Sequence, residues 1–549
     1  MSQRSLHGSG FSAVTIDQCV TAETYSREEF QFLLHGVEGA LLGEELVGRA
    51  EGRTITIEKV PAISLERTSG EGLKFYCRIA PSEKAEVQTA EADLTRLADL
   101  LMAAGPAPRA ERAATDINSA YTYLGQFIAH ELSDLKVLDG KAVTIRSAAL
   151  DLDSLFDAVP DDPLPTQKQI WKGGVGIGQA RSFGSDVMYD DLPRRSDGTA
   201  LIRDSRNDTN LALAQLHLAL SKFHQFVAQH EDCRNAEDAR RITRRHVQSV
   251  VLHDYLRRVC DPETYCDILQ HGRRVIHCGG LPTNSPFLIP IEFAAACFRV
   301  GHSMVRNVYT EWEFGSQPVE LRSLLALTGQ DDGFHQLRHL SAEWRINWAS
   351  MLDGAPGPAT SVNMAERIDA RLADELFRLP NRFFSASMPG SQDAGVGNLA
   401  RATLLRQRAF GLRSGQRTVD AVNALAGGGL AVPILDPQAV IAAMTQDQAN
   451  GNPLAQFLDA TGMHENTPLW LYCLAESRSY CGGGCFGPLT SRVVMETIHA
   501  AIEAAPDGIV ANDGRTITFS TGESLNGKAE FHLPDLIAIA LSYPHPTPA

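Results

Sequence analysis

The chain has 549 residues, 44% of them hydrophobic, with 66 acidic against 50 basic side chains and a formal charge of −16. That is enough apolar material for a large core, and size alone would suggest three or four domains. The acidic balance argues against a general nucleic-acid binder or a binder of anionic membranes.

The first residues, MSQRSLHGSGFSAVTIDQC, lack the apolar run of a signal peptide. No later segment offers the roughly eighteen uninterrupted apolar residues of a membrane span, so a cytoplasmic protein without a transmembrane segment is expected. The ten cysteines are scattered as reduced thiols would be. Cys481 and Cys485 bracket three glycines, a spacing open to a redox pair or half a metal site. With no matching Cys or His pair nearby, free thiols in a turn are the expectation.

Residues 1–115 mix short apolar stretches such as FQFLLHGVEGALL and TITIEKVPAISL with charged segments. They read as an N-terminal extension packing on a core, with no motif that points to a function. AAGPAPRAERA at 103–113 is a linker into the first informative helix, YTYLGQFIAHELSDL at 121–135. There Gln126 and His130 stand four apart on one face, while Glu131 points elsewhere. The loop RSAALDLDSLFDAVPDDPLP follows, then the glycine-rich WKGGVGIGQARSFG, which lacks phosphate-loop spacing and reads as an irregular connection.

LALAQLHLALSKFHQFVAQH carries an apolar face through Leu216, Leu220, Phe223 and Val227 and predicts a long helix. Pro290 is placed to start another, IEFAAACFRVGHSMVRNVY. Further helices are predicted at 366–379, 397–411, 437–446, 468–477 and 489–504. Strand-like alternation is confined mainly to TITIEKV, KFYCRIA and TITFST. The fold class expected is mostly α, a large helical domain with a few short β-strands and no internal repeat. The domain division expected is 1–115, 116–505 for the catalytic domain, and 506–549 as a C-terminal part of the same domain.

Two further patterns carry chemistry. Arg299, His302 and Arg306 lie three and four apart, placing a histidine and two cations near one helical face, and Gly301 leaves room beside them. Such a group suits a planar anionic cofactor, the imidazole ligating its metal and a guanidinium meeting its carboxylates, and haem is the obvious candidate. Ser147, Ala149, Asp151 and Asp153 fall at every second position. Two carboxylates, a hydroxyl and a backbone carbonyl can thus converge as hard ligands for Ca²⁺, with Glu131 as a third carboxylate.

Seven segments combine these patterns: TYLGQFIAHE at 122–131, SAALDLDSLF at 147–156, DDLPR at 190–194, DSRNDTNLALAQLH at 204–217, FRVGHSMVRN at 298–307, LARATLLRQRAFGL at 399–412 and TPLWLYCLAE at 467–476. In this order, over about residues 115 to 500, they resemble the animal-type haem peroxidases of the peroxidase–cyclooxygenase superfamily, especially bacterial members. The resemblance implies that His130 is the distal histidine, Gln126 its neighbour in the peroxide and halide pocket, and Arg206 the distal arginine. It makes His302 the proximal iron ligand and Arg299 the partner of a haem propionate. It makes Glu131, Ser147, Ala149, Asp151 and Asp153 the calcium shell.

The implied activity is reduction of H₂O₂ with oxidation of a small organic donor or an easily oxidised halide. The alternatives are a haem-dependent oxygenase acting on a dedicated, lipid or biosynthetic, substrate and a degenerate haem-binding member without turnover. Departures from the family pattern refine this. Ala129 and Thr209 stand where the mammalian branch has ester-forming carboxylates, and Asn210 where one member has a linking methionine, so haem b held without covalent bonds is expected. Thr403 stands where an asparagine accepts from the proximal imidazole, and its hydroxyl can still accept. Glu131 replaces the usual aspartate as a longer calcium ligand. Arg299 occupies the position of the cyclooxygenase radical tyrosine, which disfavours that chemistry.

Overall fold

The computed structural model describes residues 74–543 apart from 84–88, 104–114, 139–140, 145, 157–177, 182–187, 195–197, 231–232, 277–286, 313–317, 329–343, 380–396, 446–451, 512–515, 517–518 and 520–523. Before residue 74 it describes four strands. Of these, Glu44–Glu51 and Thr54–Pro61 pair antiparallel along their whole length, so TITIEKV is a strand. The FQFLLHGVEGALL stretch lies outside the described residues.

The protein is mostly α-helical, with small antiparallel sheets at its margins. The Leu211–Gln229 helix is buried through nearly its whole length. It packs against the Ser119–Leu132 helix on one side and the Leu533–Ser542 helix on another. A helix covered on nearly all sides lies inside the core, and one continuous apolar cluster runs from Tyr76 to Ala540 through these helices, with the buried polar groups of Leu211–Gln229 among them. Helix starts are set locally: the Asn210 side chain accepts from Leu213 N, and Asn398 accepts from Arg401 N.

Several expectations hold. Helices occupy Leu399–Ala409, Pro437–Thr445, Leu469–Cys481 and Pro488–Ala504. Others do not. Segment 366–379 is not an α-helix; apart from a short turn at Asp374–Phe377 it runs irregularly. Its amides are taken by distant partners, Glu366 N by Met304 O and Ile368 N by Gly483 O, and tertiary bonds override helix propensity there. KFYCRIA contributes only Lys74–Phe75 to a sheet plus a bridge from Cys77 to Pro290. Of TITFST only Thr516 and Phe519 are among the described residues, and Thr516 bridges to Val510. The glycine-rich segment contains a strand, Gly178–Arg181, paired with Met188–Asp191.

The expected free thiols Cys481 and Cys485 are joined in a disulfide. Gly482 and Gly483, at φ 58° and 82°, turn the chain back after the helix and bring the two Cα atoms to 5.7 Å. No helix among the described residues is long and apolar enough to cross a membrane.

Candidate active site

The Ser119–Leu132 helix is buried except at Gly125, Gln126, Ala129 and His130. Positions i, i+1, i+4 and i+5 make one face, so the helix is least covered along the predicted Gln126–His130 line. Gly125 is required by packing, because a Cβ there would lie 2.5 Å from the Tyr255 hydroxyl oxygen. Tyr255 ends a π-helical stretch, Val250–Tyr255, whose wide turn sets it between this helix and Phe298.

His130 Nδ1 lies 2.8 Å from Asn207 Oδ1. Burial first, then the Arg206 charge, draws its pKa down to about 4, so the ring is neutral near pH 7. Gln126 Oε1 accepts from Asn210 Nδ2 at 3.0 Å, which ties the helix to the start of Leu211–Gln229.

Arg206 sits beside His130, but its donors are engaged: Nη2 reaches His130 O at 2.9 Å, Nη1 reaches Ser133 O at 2.8 Å, and Nε meets Asp204 Oδ1 at 2.9 Å. Although burial opposes it, Arg206 and Arg146 hold the Asp204 carboxyl well below its usual range. At the positions of the absent ester-forming groups, Ala129 lies on the open face and the Thr209 hydroxyl donates to Arg206 O at 2.8 Å.

Behind this face, carboxylate oxygens of Glu131, Asp151 and Asp153 lie within 4.8 Å of one another. Ser147 Oγ is 3.4 Å from Ala149 O and hydrogen-bonds Asp151. The five predicted calcium ligands thus form one cluster. Ala148 and Leu152, between them, both have φ 62°, a conformation costing about 1–2 kcal/mol for a residue with a Cβ. Two such residues turn the alternate side chains inward, where an extended run would not. Burial, then Asp153, pushes the Glu131 carboxyl well above its usual range, and Glu131 Oε2 has no hydrogen-bond partner among the described residues. Three carboxylates around one buried arginine, Arg146, fit a hard divalent cation.

The predicted 290s helix is broken at Ala296 and continues as a 3₁₀ turn, Cys297–Met304, which packs against the Ser119–Leu132 helix. Three residues per turn put Arg299 and His302 directly in line. The turn ends before Arg306, whose side chain is drawn away to Val308 O and Met364 O, so only one of the two expected cations shares the histidine's face. A Cβ on Gly301 would meet nothing within 4 Å.

His302 Nδ1 is buried without a partner among the described residues, and burial, Arg299 and Arg406 hold the imidazole well below its usual pKa. Thr403 donates its hydroxyl proton to Leu399 O at 2.8 Å and keeps lone pairs to accept with. Arg406, 6% exposed, was missed in the sequence although it lies within LARATLLRQRAFGL. Its Nε and Nη1 have no acceptor among the described residues. Burial, then Arg299, lowers the Arg406 pKa far below normal, and burial lowers that of Arg299 to about 10. A buried Arg406 with unmet donors, a part-buried Arg299 whose Nε meets only Ala294 O, no carboxylate paired with either among the described residues, a neutral histidine and open space at Gly301 fit a planar, metal-bearing dianion.

No protein-family model and no curated protein matches the chain. Solved structures do. Peroxidase A from Dictyostelium discoideum aligns with TM-score 0.50 and 14% identity, covering 84% of this chain and 94% of its own. Fatty acid alpha-dioxygenase from Arabidopsis thaliana aligns with TM-score 0.52 and 12% identity, covering 97% and 82%. Its Oryza sativa counterpart aligns at 0.50 and 12%, covering 83% and 78%. At these identities the likeness establishes a shared fold, the mostly helical architecture of a peroxidase and of two alpha-dioxygenases.

Proposed function

We propose that the chain is a haem peroxidase that reduces H₂O₂ and oxidises a small organic donor or an easily oxidised halide, with the site carried by residues 116–505. The observation that carries this reading is the unlike setting of two histidines: His130, neutral and tied through Nδ1, and His302, neutral with a buried Nδ1 that has no partner among the described residues. His302 would hold the iron of a non-covalent haem b, and Arg299 and Arg406 its propionates. Ca²⁺ would sit among Glu131, Asp151, Asp153, Ser147 and the Ala149 carbonyl. When bound, haem supplies the metal centre that accepts electrons from the donor and passes them to peroxide.

The protein's own part is proton transfer and orientation. With its proton on Nδ1, His130 presents a bare Nε2 to the pocket, able to take a proton from the near oxygen of H₂O₂ and return it to the departing one. Gln126, one turn away, would orient the peroxide by hydrogen bonding. Arg206 would add positive potential beside the breaking bond from its place on the His130 carbonyl. Ala129 and Thr209 offer no carboxylate for an ester, so acid extraction under denaturing conditions is expected to release all of the haem.

The test is reconstitution with haem followed by H₂O₂ and a phenolic donor. A Soret band with donor oxidation is expected, and the lack of a Soret band would sink the reading. The rival draws on the likeness to the plant alpha-dioxygenases: a haem-dependent oxygenase would instead consume O₂ on addition of a long-chain fatty acid without peroxide.

A further inference from the structure

Asn207 belongs to no expected ligand set, yet it is fully buried at the junction of the His130 pocket and the carboxylate cluster. Its Oδ1 faces His130 Nδ1 at 2.8 Å, and its Nδ2 lies 3.2 Å from Ser154 Oγ and 3.2 Å from His217 Nδ1. Ser154 Oγ in turn donates to Glu131 Oε1. Ser154 and Glu131 are also fully buried, so no solvent competes for these bonds.

The protons in this chain can be placed one by one. With a cation held by its other oxygen Glu131 is ionised and can only accept, so Ser154 then spends its single hydroxyl proton on Glu131, the direction the Ser154–Glu131 contact shows. Ser154 can then offer Asn207 only a lone pair, which demands an N–H from Asn207 and places Nδ2 on that side. His217 Nδ1 takes the second N–H. The amide oxygen is left facing His130, and an oxygen there requires His130 to carry its proton on Nδ1. Nε2 is therefore bare, with no partner among the described residues.

We infer that Ser154 and Asn207 form a relay from the Glu131 carboxylate that fixes His130 in its Nδ1–H tautomer, making Asn207 the positioning residue for the pocket histidine. The relay rests on the reading of His130 as the proton-transfer group and adds a reason why its neighbour in sequence is a cation ligand. The Glu131 charge that suits a cation also selects, through two hydrogen bonds, which ring nitrogen of His130 meets substrate.

The test uses the full chain, labelled with ¹⁵N histidine and free of haem, at neutral pH with Ca²⁺ present. Multiple-bond correlations report which nitrogen of each ring is protonated, and a His130→Gln chain assigns the signal. The wild type is expected in the Nδ1–H form; an Nε2–H form there overturns the relay without recourse to any variant. Asn207→Leu is expected to give a mixture of tautomers. Asn207→Asp, whose oxygens can only accept, is expected to retain Nδ1–H.

Ser154→Ala is expected to lose the tautomer alone but not when combined with Asn207→Asp. An unchanged tautomer in Asn207→Leu overturns the proposal. In the haem-loaded protein, Asn207→Leu is expected to slow peroxide turnover about ten- to a hundredfold with the Soret band intact. A chain that takes up no haem would defeat the peroxidase reading and leave the tautomer measurement standing. Normal turnover with the wrong tautomer would defeat only the relay.

Discussion

The surroundings of His130 and of His302 are built on opposite principles. On the His130 side, His130, Asn207, Ser154 and Arg206 each have protein partners in a continuous set of hydrogen bonds. On the His302 side, the His302 Nδ1 and the Arg406 Nε and Nη1 are buried with none among the described residues. A satisfied network is rigid before any ligand arrives, whereas unsatisfied buried donors are costly until something charged fills the space between them. One wall is fixed by its own bonds before any ligand arrives, and the other holds buried donors that no described residue meets.

The contrast breaks most completely at His302. His302→Ala is expected to abolish five-coordinate haem binding, and added imidazole should restore the parent absorption spectrum. A parent-like spectrum without imidazole would put the iron ligand elsewhere.

Acid acts next, on histidines buried through the core, one of which, His217, touches Asn207. His217, His224 and His246, with pKa values drawn down to about 4, and His499, to about 3, are held neutral chiefly by burial. Unfolded, they titrate near 6.5 and so bind more protons than the folded chain between that value and 4. Their contribution is therefore full above about pH 6.5 and is lost as pH falls toward 4. Between about pH 7.5 and 5.5 each loses roughly 1 kcal/mol, about 4 in all, readable by urea unfolding at the two pH values. Stability that is flat across this range would mean that these rings are not buried as neutral groups.

Calcium removal should weaken the His130 wall. At about a hundredfold excess over its dissociation constant the ion stabilises by about 2.7 kcal/mol, so chelation is expected to lower the thermal midpoint, and Glu131→Gln to remove that dependence. The smallest effects should differ in sign. Without haem, Arg406→Met relieves a buried unpaired cation and should leave the protein equally stable or more stable by about 1–3 kcal/mol, while lowering haem affinity. Asn207→Leu strands His130, Ser154 and His217 and should destabilise by about 1–3 kcal/mol. Calorimetry of both haem-free variants tests the asymmetry directly.

Much of this architecture was legible because it is local. The four-residue spacing of Gln126 and His130 defines a helical face, the alternate spacing of Ser147 to Asp153 defines a convergent loop, and Arg299 and His302 fall in line in either type of turn. What escaped was long-range. Segment 366–379 has helical periodicity but gives its amides to Met304 and Gly483, and Arg306 has helical spacing from His302 but the turn ends first. Cys481 and Cys485 looked like thiols until two left-handed glycines brought them together.

By itself the sequence determined the helical class, the faces carrying His130 and His302, and the ring of carboxylates, because periodicity and residue chemistry act within a turn or two of chain. Only the tertiary structure decided how those groups are set. It brought Asn207 to His130 and Ser154 to Glu131, turned the Arg206 donors onto Asp204 and main-chain carbonyls, and left Nε and Nη1 of Arg406 without an acceptor among the described residues. Burial is the reason. Removing water makes each remaining donor and acceptor answer to whichever group the fold sets beside it, and that neighbour is chosen by packing across the whole chain.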